Sequence, residues 1–199
     1  MAYVIYYTGE SHPELSSLAG RARGEWYGVG LEAPLAFFDG TSRAPQITVP
    51  DSFYPVYRDM IDATRSQPTC LEIEVDSIAT VIDPTVLQLR LRITPTDSVV
   101  DTMTSLRLVA IVYEDSLPYY SFLIGDTVYA PMVVRQVVGD SFGIPLHLKF
   151  GRDFDTTVVT GVRGYNINRV GVVVSVQDFI SKSVLQSLVK WRIKKAEER

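Results

Sequence analysis

The amino-acid sequence predicts an α+β fold, in which a short strand–helix portion precedes an antiparallel, immunoglobulin-like β-sandwich. Three observations point there. Apolar residues recur at helical spacing in two stretches before residue 68, at 15–27 and 53–65. From Cys70 onward they recur at every second residue. Turn signals such as Asp83-Pro84, Gly125-Asp126 and Gly139-Asp140 then cut the chain into short runs. The change of period sets a boundary near Pro68 and two units, residues 1–68 and 69–199.

Composition bounds the function classes. The 199 residues are 46% hydrophobic and 21% charged, the balance of a folded chain with room for one large domain or two small ones. A net charge of −4 argues against a nucleic-acid partner. The single cysteine, Cys70, excludes an internal disulfide, a CxxC pair and a cysteine-built zinc site within this chain. His12 and His147 are too few for most metal sites, and no cofactor or metal is expected. No apolar run is long enough for a transmembrane segment, and the opening Ala-Tyr-Val-Ile-Tyr-Tyr is too short for a signal core. Five basic and two acidic groups among the last ten residues read as a solvated terminus.

In chain order, residues 3–7 are rich in β-branched and aromatic side chains and predict a strand. Residues 15–27 carry Leu15, Leu18, Ala19, Ala22 and Trp26 on one helical face, ended by Gly28 and Gly30. Residues 35–38 predict a short buried strand after Pro34. Asp39-Gly40 predicts a hairpin turn, with the returning strand expected at 46–49. Residues 53–65 predict a second amphipathic helix, stopped by Gln67-Pro68. Leu71, Ile73 and Val75 then alternate with acidic residues, and Leu87, Leu89, Leu91 and Ile93 alternate with polar ones. Further strands are expected at 105–113, 119–124, 127–138, 146–150, 156–162, 170–177 and 184–191.

Few motifs suggest chemistry. Gly139-Asp140-Ser141-Phe142-Gly143 matches the G-x-S-x-G pattern of hydrolase serines, which requires a strand, a sharp turn and a helix. Pro145 opposes that helix, and His147 lies too close in sequence to return as a base, so a simple turn is expected. Gly24, Gly28 and Gly30 do not have dinucleotide-binding spacing. Asp126, Asp140, Asp153 and Asp155 read as turn residues rather than calcium ligands. Cys70 reads as a small buried hydrophobe. No catalytic set is assembled, and the chain is not expected to be an enzyme.

Val4-Ile5-Tyr6-Tyr7, Tyr27-Gly28-Val29 and above all Ala33-Pro34-Leu35-Ala36-Phe37-Phe38-Asp39-Gly40 resemble the later part of a thioredoxin fold. The resemblance puts a cis-proline at Pro34 and a structural hairpin turn at Asp39 and Gly40. The whole chain is similar in its order of elements to a bacterial family related to a twenty-eight-kilodalton outer membrane protein, which joins a thioredoxin-like head to a β-sandwich. Residues 106–115, Val133-Val134-Arg135, Gly143-Ile144-Pro145 and residues 173–188 continue that likeness.

The chain departs from the thioredoxin pattern at its start, which corresponds to the second strand, so the head is partial and lacks CxxC. The resemblance implies a non-catalytic cell-envelope or secreted protein that acts by binding or assembly. A protein partner, or a second copy, would cover the exposed sheet edge of the partial head. The alternative is a fragment of a thiol–disulfide oxidoreductase whose CxxC lies upstream.

Overall fold

The computed structural model describes residues 5–7, 13–28, 36–45, 53–65, 67–80 and 85–190. Among the described residues the chain is β-rich with two α-helices. Its centre is a pair of antiparallel sheets facing each other across one apolar core.

The smaller sheet has the strand order β10 (Phe154–Gly161), β4 (Val86–Pro95), β3 (Leu71–Thr80). In β4, Leu87, Leu89, Leu91 and Ile93 are all buried, as strict alternation requires. In β3 the bulge between Val75 and Ser77 shifts the alternation by one residue, so Leu71 and Ile73 face the core before it and Ile78 and Thr80 are buried after it.

The larger sheet runs β12 (Val184–Lys190), β11 (Val170–Asp178), β5 (Leu106–Glu114), β8 (Val133–Val137), with the short β9 (Ile144–Pro145) also paired to β5. One face of β5 and β11, carrying Leu106, Leu108, Ala110, Val112, Val172, Val174 and Val176, meets the smaller sheet. The opposite face, carrying Val109, Ile111, Tyr113 and Val173, is buried too. That double burial explains why both strands read as near-continuous apolar runs.

The second face is covered by the N-terminal residues. Ile5 bridges Val133 in parallel, with its N–H 3.2 Å from Met132 O and its carbonyl accepting from Val134 N at 3.1 Å. Tyr6 and Ala19 pack into the same cluster. The strand expected at 3–7 is therefore represented, among the described residues, by bridges at Ile5 and Tyr7, and Ile5 joins the larger sheet. Helix α1 (Leu18–Tyr27) begins three residues later than expected, because the Ser17 hydroxyl accepts from Gly20 N and caps it. Gly28, at φ 74°, ends it.

Strands β1 (Phe37–Phe38) and β2 (Ser42–Arg43) form the hairpin announced by Asp39-Gly40, whose φ angles of 46° and 75° fit a type I′ turn. The chain returns at once, so the second strand starts before the expected 46–49, all of which lies outside the described residues. Helix α2 (Phe53–Arg65) has its expected bounds and sets Tyr57 edge-on to Phe38, ring centroids 5.5 Å apart. Gln67 to Cys70 link α2 to β3. A second hairpin, β6 (Leu117–Ser121) and β7 (Asp126–Ala130), pairs only with itself among the described residues. The strand expected at 127–138 is thus two strands, split at Pro131-Met132, where Met132 takes a φ of 45°. No strand forms at 146–150: residues 147–148 are irregular, Lys149 bridges Arg152 around a turn at 150–151, and Leu146 N instead extends the β9 pairing by donating to Leu106 O.

Candidate functional site

The most unusual chemistry lies where α1 meets the larger sheet. Arg23 is only 3% exposed although it carries a permanent charge. It sits three and four residues from Trp26 and Ala19 on the apolar stripe of α1, which turns it inward. Its Nη2 donates to Gln177 Oε1 at 2.6 Å. Among the described residues its Nε and Nη1 meet no hydrogen-bond acceptor. The guanidinium carbon lies 5.6 Å, 5.2 Å and 5.8 Å from the ring centroids of Tyr6, Trp26 and Tyr27, so aromatic faces supply much of the compensation for its lost hydration.

Gln177 occupies the outward-facing register of β11 and is fully used. Its Nε2 donates to Tyr27 Oη at 2.8 Å and to Lys182 O at 2.7 Å. Lys182 belongs to the β11–β12 turn at φ 68°, and its Nζ donates to Trp26 O. Trp26 stacks on Phe179 at 5.3 Å, and Phe142 meets both rings edge-on. Burial pushes the Tyr6 hydroxyl up to about 12, against the lowering effect of the Arg23 guanidinium beside it. The phenol therefore stays neutral at ordinary pH. The arrangement clamps α1 to the sheet through a caged cation, and it offers no ionised base.

The residues singled out in the sequence fall around this clamp. Pro34 lies outside the described residues. Asp39 and Gly40 dock the β1–β2 turn on the β11–β12 turn: Asp39 O accepts from Val184 N at 2.9 Å, and a Cβ on Gly40 would stand 1.9 Å from Lys182 O. Ser141 sits in a tight turn in which Gly143 N donates to Asp140 O at 3.1 Å and Phe142 N donates to Asp140 Oδ1 at 2.7 Å. Strand β9 follows, not a helix, and His147 is exposed. Ser141 lines a shallow groove with Ser17, Arg135, Gln136 and Tyr165. The Arg135 charge is engaged there by Glu114 at 3.6 Å, by Glu14 O and by the Tyr165 ring.

The four aspartates do not converge. Asp140 pairs with Arg107, Asp155 with Arg92, and Asp153 accepts from Thr94, while Asp126 opens β7. Among the described residues no three His, Cys, Asp or Glu side chains are grouped to hold a metal. Cys70 is half-buried at the start of β3, and burial raises its thiol above the ordinary value.

Arg23, Gln177 and Lys182 escaped the sequence reading. The available signals were an arginine inside an apolar helical stripe and a glutamine closing an unbroken apolar strand.

Two sheets over one core, with a helix clamped to the outer face of the larger, define a β-rich mixed fold. No protein-family model matches the chain, and no curated protein does. One solved structure shares the fold at low identity. HBP35 of Porphyromonas gingivalis aligns at a TM-score of 0.60 and 11% identity, over 73% of this chain and 48% of its own. This chain thus spans about half the length of HBP35. A domain of the outer membrane lipoprotein Omp28 from the same organism aligns at a TM-score of 0.44 and 13% identity, over 65% of this chain and 92% of that domain. No helix among the described residues is long and apolar enough to cross a membrane.

Proposed function

We propose that the chain is a non-catalytic cell-envelope or secreted protein of the Omp28-related family, acting by binding or assembly. In this reading residues 1–68 form a partial thioredoxin-like head and residues 69–199 an immunoglobulin-like β-sandwich. The supporting observation is the caged Arg23: a buried cation spent on holding α1 against Gln177 is structural chemistry. The turn geometry around Ser141 and the raised thiol of Cys70 agree with it. The fold shared with HBP35 and the sequence likeness of residues 106–115 and 173–188 to the family support the cell-envelope assignment. The partner is another protein or a second copy, meeting the edge of the head's small sheet.

The test is to isolate the native protein from its source, locate it by fractionation, and assay it for reduction of insulin disulfides and for self-association. Recovery in the envelope or medium without reductase activity is expected. Recovery in the cytoplasm would overturn the location. Reductase activity in a longer native form carrying an upstream CxxC would establish the oxidoreductase alternative instead.

A further inference from the structure

The β6–β7 hairpin carries the largest run of exposed apolar side chains among the described residues. Phe122, Leu123 and Ile124 are 83%, 100% and 68% exposed at its turn. Tyr120 and Tyr129 follow at 50% and 63%. The base of the ribbon is anchored, because Leu117, Tyr119 and Ala130 pack with Leu15 and Val133. Among the described residues the strands pair with each other and with no third strand. Five-residue strands of this kind are roughly 17 Å long, so the tip stands clear of its anchored base.

Soluble proteins scatter exposed hydrophobes singly, and three consecutive ones on a projecting turn are uncommon. The turn does not need them for its own closure. Gly125, at φ 73°, donates to Ser121 O at 2.7 Å and closes it through the backbone.

We propose that this tip is a membrane-interface contact, in which Phe122, Leu123 and Ile124 enter the headgroup–acyl boundary of a lipid bilayer. Three features select lipid over a protein occupant. Polarity is graded along the ribbon: the aliphatic and phenyl groups are outermost, and the two exposed tyrosines lie behind them, where their hydroxyls meet headgroups. Charge is nearly absent, since Asp126 is the one ionisable acid or base between residues 117 and 132 apart from the tyrosines, so no complementary charged surface is addressed. The area is small. Three tip side chains fall well short of the ~800 Å² per partner that a stable protein interface buries, whereas partition into a bilayer has no such threshold. The absence of Lys and Arg from the ribbon further requires that binding not depend on anionic lipid. The proposal rests on the hairpin alone and stands whether or not the envelope assignment does.

The test is flotation of the full chain with pure phosphatidylcholine vesicles, at low and high salt. The wild-type chain is expected to float at both. Leu123→Asp should lower the bound fraction about tenfold, and Leu123→Trp should raise it with a blue-shifted emission. Val159→Asp, at an exposed site on β10, should leave it unchanged. Because Leu123 is fully exposed, the variants can be required to melt like the wild type. The proposal is overturned if the wild-type chain does not float and the Leu123→Trp emission does not shift. It also fails if Leu123→Asp floats as well as wild type, or if high salt abolishes binding. Concentration-dependent association that Leu123→Asp removes, without vesicle binding, would instead make a second copy the occupant.

Discussion

Arg23 Nη2 and Gln177 Oε1 meet at 2.6 Å across 154 residues of chain, and this contact fixes α1 on the larger sheet. The two ends of the contact are unequal. Truncating Arg23 to alanine removes the buried charge together with its partner's hydrogen bond. Replacing Gln177 by leucine keeps the charge buried and takes away the hydrogen-bond acceptor that serves it. Arg23→Ala is therefore expected to cost about 2 kcal/mol, and Gln177→Leu more, about 3–5 kcal/mol. Arg23→Met, which keeps the volume and discards the charge, should be the mildest of the three. Urea unfolding of the three variants checks the order, and an Arg23→Met chain less stable than Gln177→Leu would refute it.

Gly40 and Gly28 share a left-handed backbone, at φ 75° and 74°, but differ in surroundings. A Cβ on Gly28 meets nothing within 4 Å, while one on Gly40 meets the Lys182 carbonyl at 1.9 Å. Gly28→Ala should cost about 1 kcal/mol, the backbone penalty alone. Gly40→Ala must also displace the β11–β12 turn and should cost about 3 kcal/mol or more. Equal shifts in melting temperature would show that the two hairpin turns do not dock.

Two aspartates around that contact respond to pH with opposite sign. Burial raises the Asp39 carboxyl, with a hydrogen bond from Thr64 partly opposing it. Its contribution is therefore fully present below the unfolded carboxylate range and is lost as pH rises through the raised folded value. Burial works to raise Asp178 as well. The Ser105 hydroxyl at 2.6 Å and the N–H groups of Ser181 and Ile180 overcome it and leave the carboxyl lowered. Asp178 thus stabilises above the unfolded carboxylate range and loses that stabilisation as pH falls through its lowered folded value. Asp39→Asn should raise the melting temperature at pH 7 with the gain vanishing in acid. Asp178→Asn should lower it at pH 7 with the loss vanishing in acid. Melting curves across the acid range decide both.

Cys70 should alkylate slowly. Its thiol is raised mainly by burial, which outweighs the relief from a backbone hydrogen bond, and the charge of Asp97 adds a smaller raising effect. Less thiolate at neutral pH means a smaller reactive fraction. The expected iodoacetamide rate for the folded chain is several-fold below that of free cysteine. A faster rate would mark Cys70 as an activated thiol and reopen the redox reading.

The sheets were legible because burial on one face writes a period of two, as in Leu87 to Ile93. Helix α2 was legible to the residue for the same reason at period 3.6. What failed was local geometry set by contacts distant in sequence. Phe122, Leu123 and Ile124 read as strand body, because apolar character does not distinguish a buried strand from an exposed turn. The break at Met132 depends on Asp115, whose carboxylate accepts from Met132 N at 3.1 Å. The site was least legible of all. Arg23 is held by a glutamine and rings brought together only by the finished fold, whereas the Asp39-Gly40 turn carries its own conformational signature.

The turn around Ser141 gives the sharpest separation of structure from chemistry. Asp140 accepts from Arg107 Nη1 at 2.9 and 3.1 Å, and the same nitrogen donates to Gly143 O at 3.0 Å. The Arg107 guanidinium lies 4.8 Å from the Phe179 ring centroid, and Phe179 in turn stacks on Trp26. Asp140 thereby holds the turn against the aromatic residues that surround Arg23. Its side chain is largely solvent-exposed, which screens the ion pair, so Asp140→Ala should cost about 1 kcal/mol rather than the cost of a buried pair. Ser141 contributes its backbone to the turn, and Ser141→Ala should change stability by less than about 0.5 kcal/mol. A fluorophosphonate probe should leave Ser141 unlabelled, since no helix follows to expose its hydroxyl above a parallel sheet. Labelling that disappears in Ser141→Ala, at unchanged stability, would make this turn a nucleophile site and contradict the non-catalytic reading.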